Sequence, residues 1–527
     1  MLFGSLNASS QNKTFTTHLP IFYLNTSGQT IVDEPKIDAR LEIAWKGEGE
    51  DNSTSDPHDH FSGNIGIEIR GSSSQMFPKK SYGFELRDDQ GEDMDFPLLG
   101  LPEEEDWILY APYSDKSLMR NVLIFTLANQ ISDTYASRCR FVELFLNNEY
   151  MGVYVLMEKI KRDKYRVDIS KLNDDEIDGE DLTGGYIVKI DKQTGSGGDG
   201  WSSAYANDNN SRTFYQYEYP KSDEIVAQQK SYIQNYIYDF ETAVYNRSHS
   251  PENGYQNYMN LETFYDYVIL NEISKNVDGY RLSTFLNKDK NGKLNAGPIW
   301  DYNLAFGNAD YYEGWITYGL MVYQDLGSDY WQIPFWWKEL VSDSEFADPM
   351  RCRWDDLKEN YLSSDNVMGI IDSLRNNLGE AVNRNFHRWP ILTQYVWPNY
   401  YVGNTYSNEI DWMKNWINNR LERVDFELPG TCDLPSVVSD LEDYNAAEFY
   451  PNPFRSELSL KINIGKTAEC NLDIYGLNGS IVSQQVFSVT EGENRFTLRF
   501  PELPGEVYLY RITENGNPVS SGKLVKH

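Results

Sequence analysis

Asp278 and Asp301 are the residues whose placement most directly suggests chemistry. A helical pattern ends near Lys275, a short loop presents Asn276, Val277 and Asp278, and two strand-like runs, RLSTFLN and KLNAGPIW, flank a turn at residues 289–292. A hairpin brings its two ends side by side, so Asp278 entering it and Asp301 leaving it are expected to meet. Two carboxylates held this way suit phosphoryl transfer, one orienting an acceptor hydroxyl and taking its proton, the other holding Mg²⁺ on nucleotide phosphates. On spacing alone a second reading stays open, in which Asp278 caps a turn and Asp301 ties down a loop.

Other candidate groups carry weaker patterns. His58, Asp59 and His60 could ligate a metal, but their polar surroundings, DNSTSDPHDH, favour an exposed loop. The glycines between Gly195 and Gly200 lack the preceding strand and the GK[ST] ending of a phosphate loop, so they read as a flexible insertion. Trp331, Phe335, Trp336 and Trp337 read mainly as core, with the lining of an acceptor surface as the alternative.

The elements that must position these residues change character along the chain. Residues 15–90 alternate strand-like runs with polar turns, GNIGIEIRG and SYGFELR showing the period of two expected of half-buried strands. A helix is predicted over 116–131, followed by the strands RFVELFLN and YMGVYVLME around a turn at 147–149. Ile225, Ile233, Tyr236, Ile237 and Phe240 then stripe one helical face, and Asn260 is placed to cap a helix running through Phe264, Val268 and Ile273. A β-rich start followed by a helical remainder predicts a two-lobed α+β enzyme over 15–428. Residues 429–445 have linker composition, and 446–527 alternate as a small all-β sandwich, with Asn478 and Gly479 at a turn.

Composition narrows the partners. The chain has 527 residues, 47 basic against 80 acidic, for a net charge of −33. That charge repels nucleic acid and anionic membranes, and its plainer reading is a surface that keeps the protein soluble. Cys139, Cys352, Cys432 and Cys470 show no zinc-clamp spacing; a Cys352–Cys432 disulfide is possible but does not follow from the spacing. No run reaches the length of a membrane span, and residues 1–14 read as a trimmed or misassigned signal remnant.

The blocks NEISKNVDGYRLSTFL and GPIWDYNLAFG resemble the most diagnostic part of the CotH (spore-coat protein H) kinase family. RGSSSQMFPKKSYGFEL, DWILYAPYSDKSLMRN, RFVELFLNNEYMGVYVLMEKIKRDKYRVDI and GGYIVKID extend the likeness upstream. The resemblance implies a divergent protein-kinase-like domain that binds ATP with Mg²⁺, or Mn²⁺, and phosphorylates secreted or surface proteins. It implies Asp278 as the catalytic-loop aspartate and Asp301 as the metal aspartate. Arg70, Ser72 and Ser73 would form a phosphate-facing turn, Lys80 or its neighbour Lys79 would pair the phosphates, and Glu158 would address the adenine ring. Ser283 stands where kinases place a metal-binding Asn, and the 116–131 helix offers no Glu for the lysine. Asn303 or Arg120 could take over these tasks, or the scaffold could be a catalytically weak binding protein, such as an adhesin or part of a polysaccharide complex. FYPNPFRSELSLKI, DIYGLNGSIV and the ending GKLVKH resemble a type IX secretion sorting domain of Bacteroidetes, implying export across the outer membrane by that machinery.

Overall fold

The computed structural model describes residues 14–526 except 133, 194–197, 433–446, 465, 476–480, 501–502, 506 and 515–516. Residues 1–13 of the expected signal remnant, most of the linker, part of the glycine-rich insertion and the turn at Asn478–Gly479 lie outside the described residues. The chain divides into two compact units, Met1–Cys432 and Asp433–His527.

In the first unit the alternating N-terminal runs do become strands, and they close. Seven strands form a barrel in the order Ile21–Asn25, Ile37–Ala44, Phe61–Arg70, Ser81–Arg87, Asp106–Tyr110, Glu149–Glu158, Cys139–Leu146. Every pairing is antiparallel except the closing one, in which Ile21–Asn25 runs parallel to Cys139–Leu146. Phe22, Leu41, Ile43, Ile65, Ile67, Phe84, Leu86, Trp107, Leu109, Val142, Leu144 and Leu156 fill the interior, as the period of two requires. Asn147 and Asn148, both at positive φ (49° and 66°), make the tight turn between the last two strands in chain order.

A second core surrounds a five-stranded antiparallel sheet and the helices. The sheet order is Gly200–Ser202, Phe214–Tyr219, Tyr186–Ile190, Thr284–Lys288, Leu294–Ala296. The helix Leu261–Ser274 is buried at nearly every position from Thr263 onward and ends where Lys275 turns left-handed (φ 42°). Asn260 occupies its N-cap position, but its amide reaches Asn295 instead of the helix. The helix predicted from 116 starts only at Arg120, because Asp115 accepts from the Ser117 and Arg120 backbone N–H groups and holds 115–119 in a turn. Helix Ala227–Tyr245 buries Ile233, Ile237 and Phe240 of the predicted stripe and half-buries Tyr236, while Ile225 lies ahead of its first turn. Cys352 and Cys432 are joined by a disulfide.

The second unit pairs a three-stranded sheet (Ala447–Tyr450, Glu457–Ile464, Gly492–Arg499) with a four-stranded one (Ile481–Val489, Ala468–Tyr475, Val507–Glu514, Asn517–Val525). Leu458, Leu460, Ile462, Leu472, Ile474, Leu498, Ile512 and Leu524 give it a core of its own. The molecule is thus mixed α and β with a C-terminal all-β unit.

Candidate active site

Register brings three carboxylates to one end of the five-stranded sheet. Ile190 pairs with Thr284, so Asp191, one residue beyond the strand Tyr186–Ile190, stands beside Ser283, one residue before its neighbour; Ser283 Oγ lies 3.5 Å from Asp191 Oδ2. Asp278 precedes that neighbouring strand, and Asp301 follows the hairpin of which it is the first arm. Both Asp278 and Asp191 lie within electrostatic reach of Asp301. The predicted meeting of Asp278 and Asp301 therefore occurs, with Asp191 as a third member that the sequence reading passed over. The signal for it was the apolar strand YIVKI ending on an Asp within GGYIVKID.

Asp301 is solvent-exposed, so a ligand can reach it, yet protein crowds it at longer range and its charge is poorly solvated. Burial first, then Asp278 and Asp191, push its carboxyl up to about 7, against the pull of Lys192 and Arg70. Burial likewise raises Asp191. Asp301 makes no side-chain hydrogen bond or ion pair among the described residues, and it is left-handed (φ 61°). Tyr280, Ser283 and Phe306 share that rare conformation, a concentration of strain that surrounding structure must hold in place. It does so from behind. Asn121 Oδ1 accepts from the Tyr302 N–H (2.7 Å), Arg120 Nε donates to the Ala305 carbonyl (3.0 Å), and Phe306 N–H bonds the Ser274 carbonyl at the helix end (2.8 Å). Arg120 is thus a buried brace paired with Asp115, not a nucleotide ligand.

Asp278 is fixed by Arg281, whose Nη2 donates to Oδ1 at 2.8 Å while Nη1 holds Asp329 and the Trp331 carbonyl. Tyr311 Oη also addresses Oδ1, at 3.5 Å, which leaves Oδ2 without a partner among the described residues. Such an oxygen, held in place and open, can accept a hydrogen bond from an acceptor's hydroxyl.

The cations divide sharply. Arg70, at the end of its barrel strand, makes no ion pair among the described residues; its guanidinium lies over the Trp300 ring (5.9 Å) within electrostatic reach of Asp301. Ser73 begins the turn Ser73–Met76, with Ser72 as its cap residue, and accepts from Lys192 Nζ at 3.1 Å. Lys79 is buried, bonded to the Val153 carbonyl and Asn385 Oδ1 beneath the Tyr154 ring, and desolvation holds its amine well below the usual lysine range. Lys80 bonds the Gln75 carbonyl of the adjacent turn. Neither lysine makes an ion pair with the carboxylates among the described residues, both being held by neutral oxygens. Glu158 is buried and accepts three bonds from Arg138, through the backbone N–H (2.9 Å), Nε (2.9 Å) and Nη2 (2.7 Å), so its carboxylate is already engaged.

Asn303 pairs with the buried Tyr110 hydroxyl, beside Asp301. Hard oxygen donors from Asp301, Asp191, Asn303 and Ser283 fit Mg²⁺, which takes one or two carboxylates plus phosphate oxygens and keeps waters. Their carboxylates do not converge into a closed cage; among the described residues the only close acidic trio is Asp95, Glu104 and Glu105, and Lys161 bridges its Glu104 and Glu105. His58 and His60 do not converge either. His58 stacks on Tyr23 and bonds Glu42, while His60 Nε2 accepts from the Leu99 N–H, so both are packed where the sequence suggested an exposed loop. Trp336 and Trp337 are buried core, whereas Trp331 lies under Lys192.

Residues 67–424 match the model of a family described as CotH kinase protein, and residues 448–527 match one described as Secretion system C-terminal sorting domain. No curated protein matches. A solved structure, the Pseudomonas fluorescens alkylpurine DNA glycosylase AlkC bound to DNA containing an abasic site analog, aligns with 13% identity over 38% of this chain and 56% of its own. Its TM-score of 0.13 carries no argument about fold. Among the described residues no helix is long and apolar enough to cross a membrane.

Proposed function

The chain belongs to the CotH kinase protein family and carries a sorting domain that marks it for export to the cell surface or beyond, and on that premise we propose that it is a kinase-like phosphotransferase using ATP with Mg²⁺ on hydroxyl groups of exported proteins. The observation that carries the reading is the pair of open carboxylate groups, Asp278 Oδ2 and Asp301, held at one end of a sheet by a hairpin. Asp278 orients the acceptor hydroxyl. Its oxygen attacks the γ-phosphorus, the bond to the β-bridging oxygen breaks, ADP leaves with that electron pair, and the hydroxyl proton passes to Asp278 Oδ2. Asp301, with Asp191 beside it and Asn303 and Ser283 as neutral donors, would hold Mg²⁺, which neutralises charge on the phosphates when bound. A second reading, a catalytically weak or inactive kinase-like scaffold acting as a surface adhesin or in a polysaccharide complex, is favoured by the engagement of Lys79 and Lys80 elsewhere.

Labelled ATP with Mg²⁺ or Mn²⁺ tests this on the full chain. Asp278→Asn should still bind ATP while transfer falls by about 10²-fold or more, and Asp301→Ala should lose metal-dependent binding as well as transfer. A parent protein that binds ATP but labels neither itself nor co-exported proteins supports the second reading. One that binds no nucleotide with any metal removes the kinase reading and leaves the scaffold reading.

A further inference from the structure

Three lysines of this unit have their charge cancelled by carboxylates, while Lys79 and Lys80 are tied to neutral oxygens of the barrel and its turn. Lys159 pairs with Asp106 (3.0 Å), Lys189 with Glu218 (2.8 Å), and Lys161 with Glu104, Glu105 and Asp106. Lys192 does not. It follows Asp191 directly at the sheet end, and Asp191 and Asp301 lie within its electrostatic reach, yet no carboxylate oxygen stands within 4.0 Å of Nζ among the described residues. What holds the ammonium is neutral: the Ser73 hydroxyl at 3.1 Å, on the turn that follows the barrel strand, and the face of Trp331 at 5.4 Å. A hydroxyl and an aromatic face position a cation without cancelling it. Arg70 repeats the pattern over Trp300. The site thus presents two cations with no carboxylate at ion-pair distance among the described residues, near an open carboxylate, groups that a ligand carrying both phosphate and a divalent cation would join.

We infer that Lys192, reaching from the sheet to the Ser73 turn, is the phosphate-binding lysine of this site, a role that the order of residues in the chain would give to Lys80 or Lys79. The inference rests on the kinase reading and adds to it the group that meets the nucleotide's phosphates. A lysine suits the task as a compact point charge on a flexible stem, able to turn from Ser73 to a phosphate oxygen.

The test measures Mg-ATP affinity of the full chain by calorimetry, with the nucleotide-free thermal midpoint as a check on folding. Lys192→Gln, neutral but still a hydrogen-bond donor, should weaken ATP at least tenfold with the midpoint unmoved. Lys192→Arg, which keeps the charge, should stay within a few-fold of the parent. Lys80→Ala should cost less than Lys192→Gln. ATP affinity in Lys192→Gln within threefold of the parent overturns the inference while the kinase reading stands, as does an equal loss in Lys192→Arg or a larger one in Lys80→Ala. A parent that binds no Mg-ATP removes the kinase reading and the inference together.

Discussion

Asp278 and Asp301 were legible because a hairpin is a local device whose turn and strands lie between them in the chain. Asp191 and Lys192 come from a strand almost a hundred residues earlier, and only the pairing of Ile190 with Thr284 reveals that they belong beside Ser283. Lys79 and Glu158 show the opposite failure: residues of suitable type in suitable blocks whose side chains are consumed by buried partners. Glu158→Gln makes that visible. It puts an amide donor against the Arg138 guanidinium in place of one acceptor oxygen, and loss of a buried pair is severe, though Arg138 is 35% exposed, so about 2 kcal/mol is expected. Thermal or denaturant unfolding should register that loss while ATP affinity stays at the parent's value; a selective loss of ATP binding at unchanged stability would return Glu158 to the nucleotide.

At the scale of elements, alternation identified the strands of the barrel but not their closure. Closure depends on the parallel pairing of Ile21–Asn25 with Cys139–Leu146, and such a long-range pairing leaves no trace in local periodicity. The helix Ala227–Tyr245 was legible from its apolar stripe, whereas its one buried acid was not noticed. Glu241 accepts from Tyr215 Oη and Ser203 Oγ, both at 2.8 Å, with no ion pair among the described residues, and burial raises its carboxyl to about 7. A carboxyl whose pKa rises on folding holds its proton more tightly in the folded chain. Its contribution is therefore fullest below the ordinary carboxylate range and is lost as pH climbs from about 4.5 through about 7. Glu241→Gln keeps an acceptor for Tyr215 and cannot ionise. The difference in stability between parent and variant should shift against the parent by roughly 3 kcal/mol between pH 4 and pH 8, read as thermal midpoints across pH; a difference independent of pH would show that Glu241 is already ionised in the folded chain.

On the scale of the whole molecule, the chain's division was legible because each unit's alternation or striping closes on its own core, while the boundary of the first unit was not. The shift to linker composition near residue 429 suggested a domain ending before Cys432, but the disulfide to Cys352 keeps that cysteine in the first unit. The bond closes a loop with a sequence separation of 80, for which loop entropy gives a stabilisation of about 4.5 kcal/mol, and a protein exported into an oxidising setting can keep it. This makes the position of a truncation decisive. A chain ending at residue 440 loses the sorting domain but retains Cys432, so it should bind Mg-ATP and melt like the first unit of the parent while failing to be exported. A chain ending at residue 430 lacks the disulfide as well, so its thermal midpoint should fall well below that of the longer truncation. Adding a reductant should erase most of the difference between the two, because both then lack the crosslink. A gap that persists under reduction would assign the stability to contacts of residues 431–440 instead of to the bond, and a loss of nucleotide binding in the 440 truncation would show that the C-terminal unit is needed for the fold of the first.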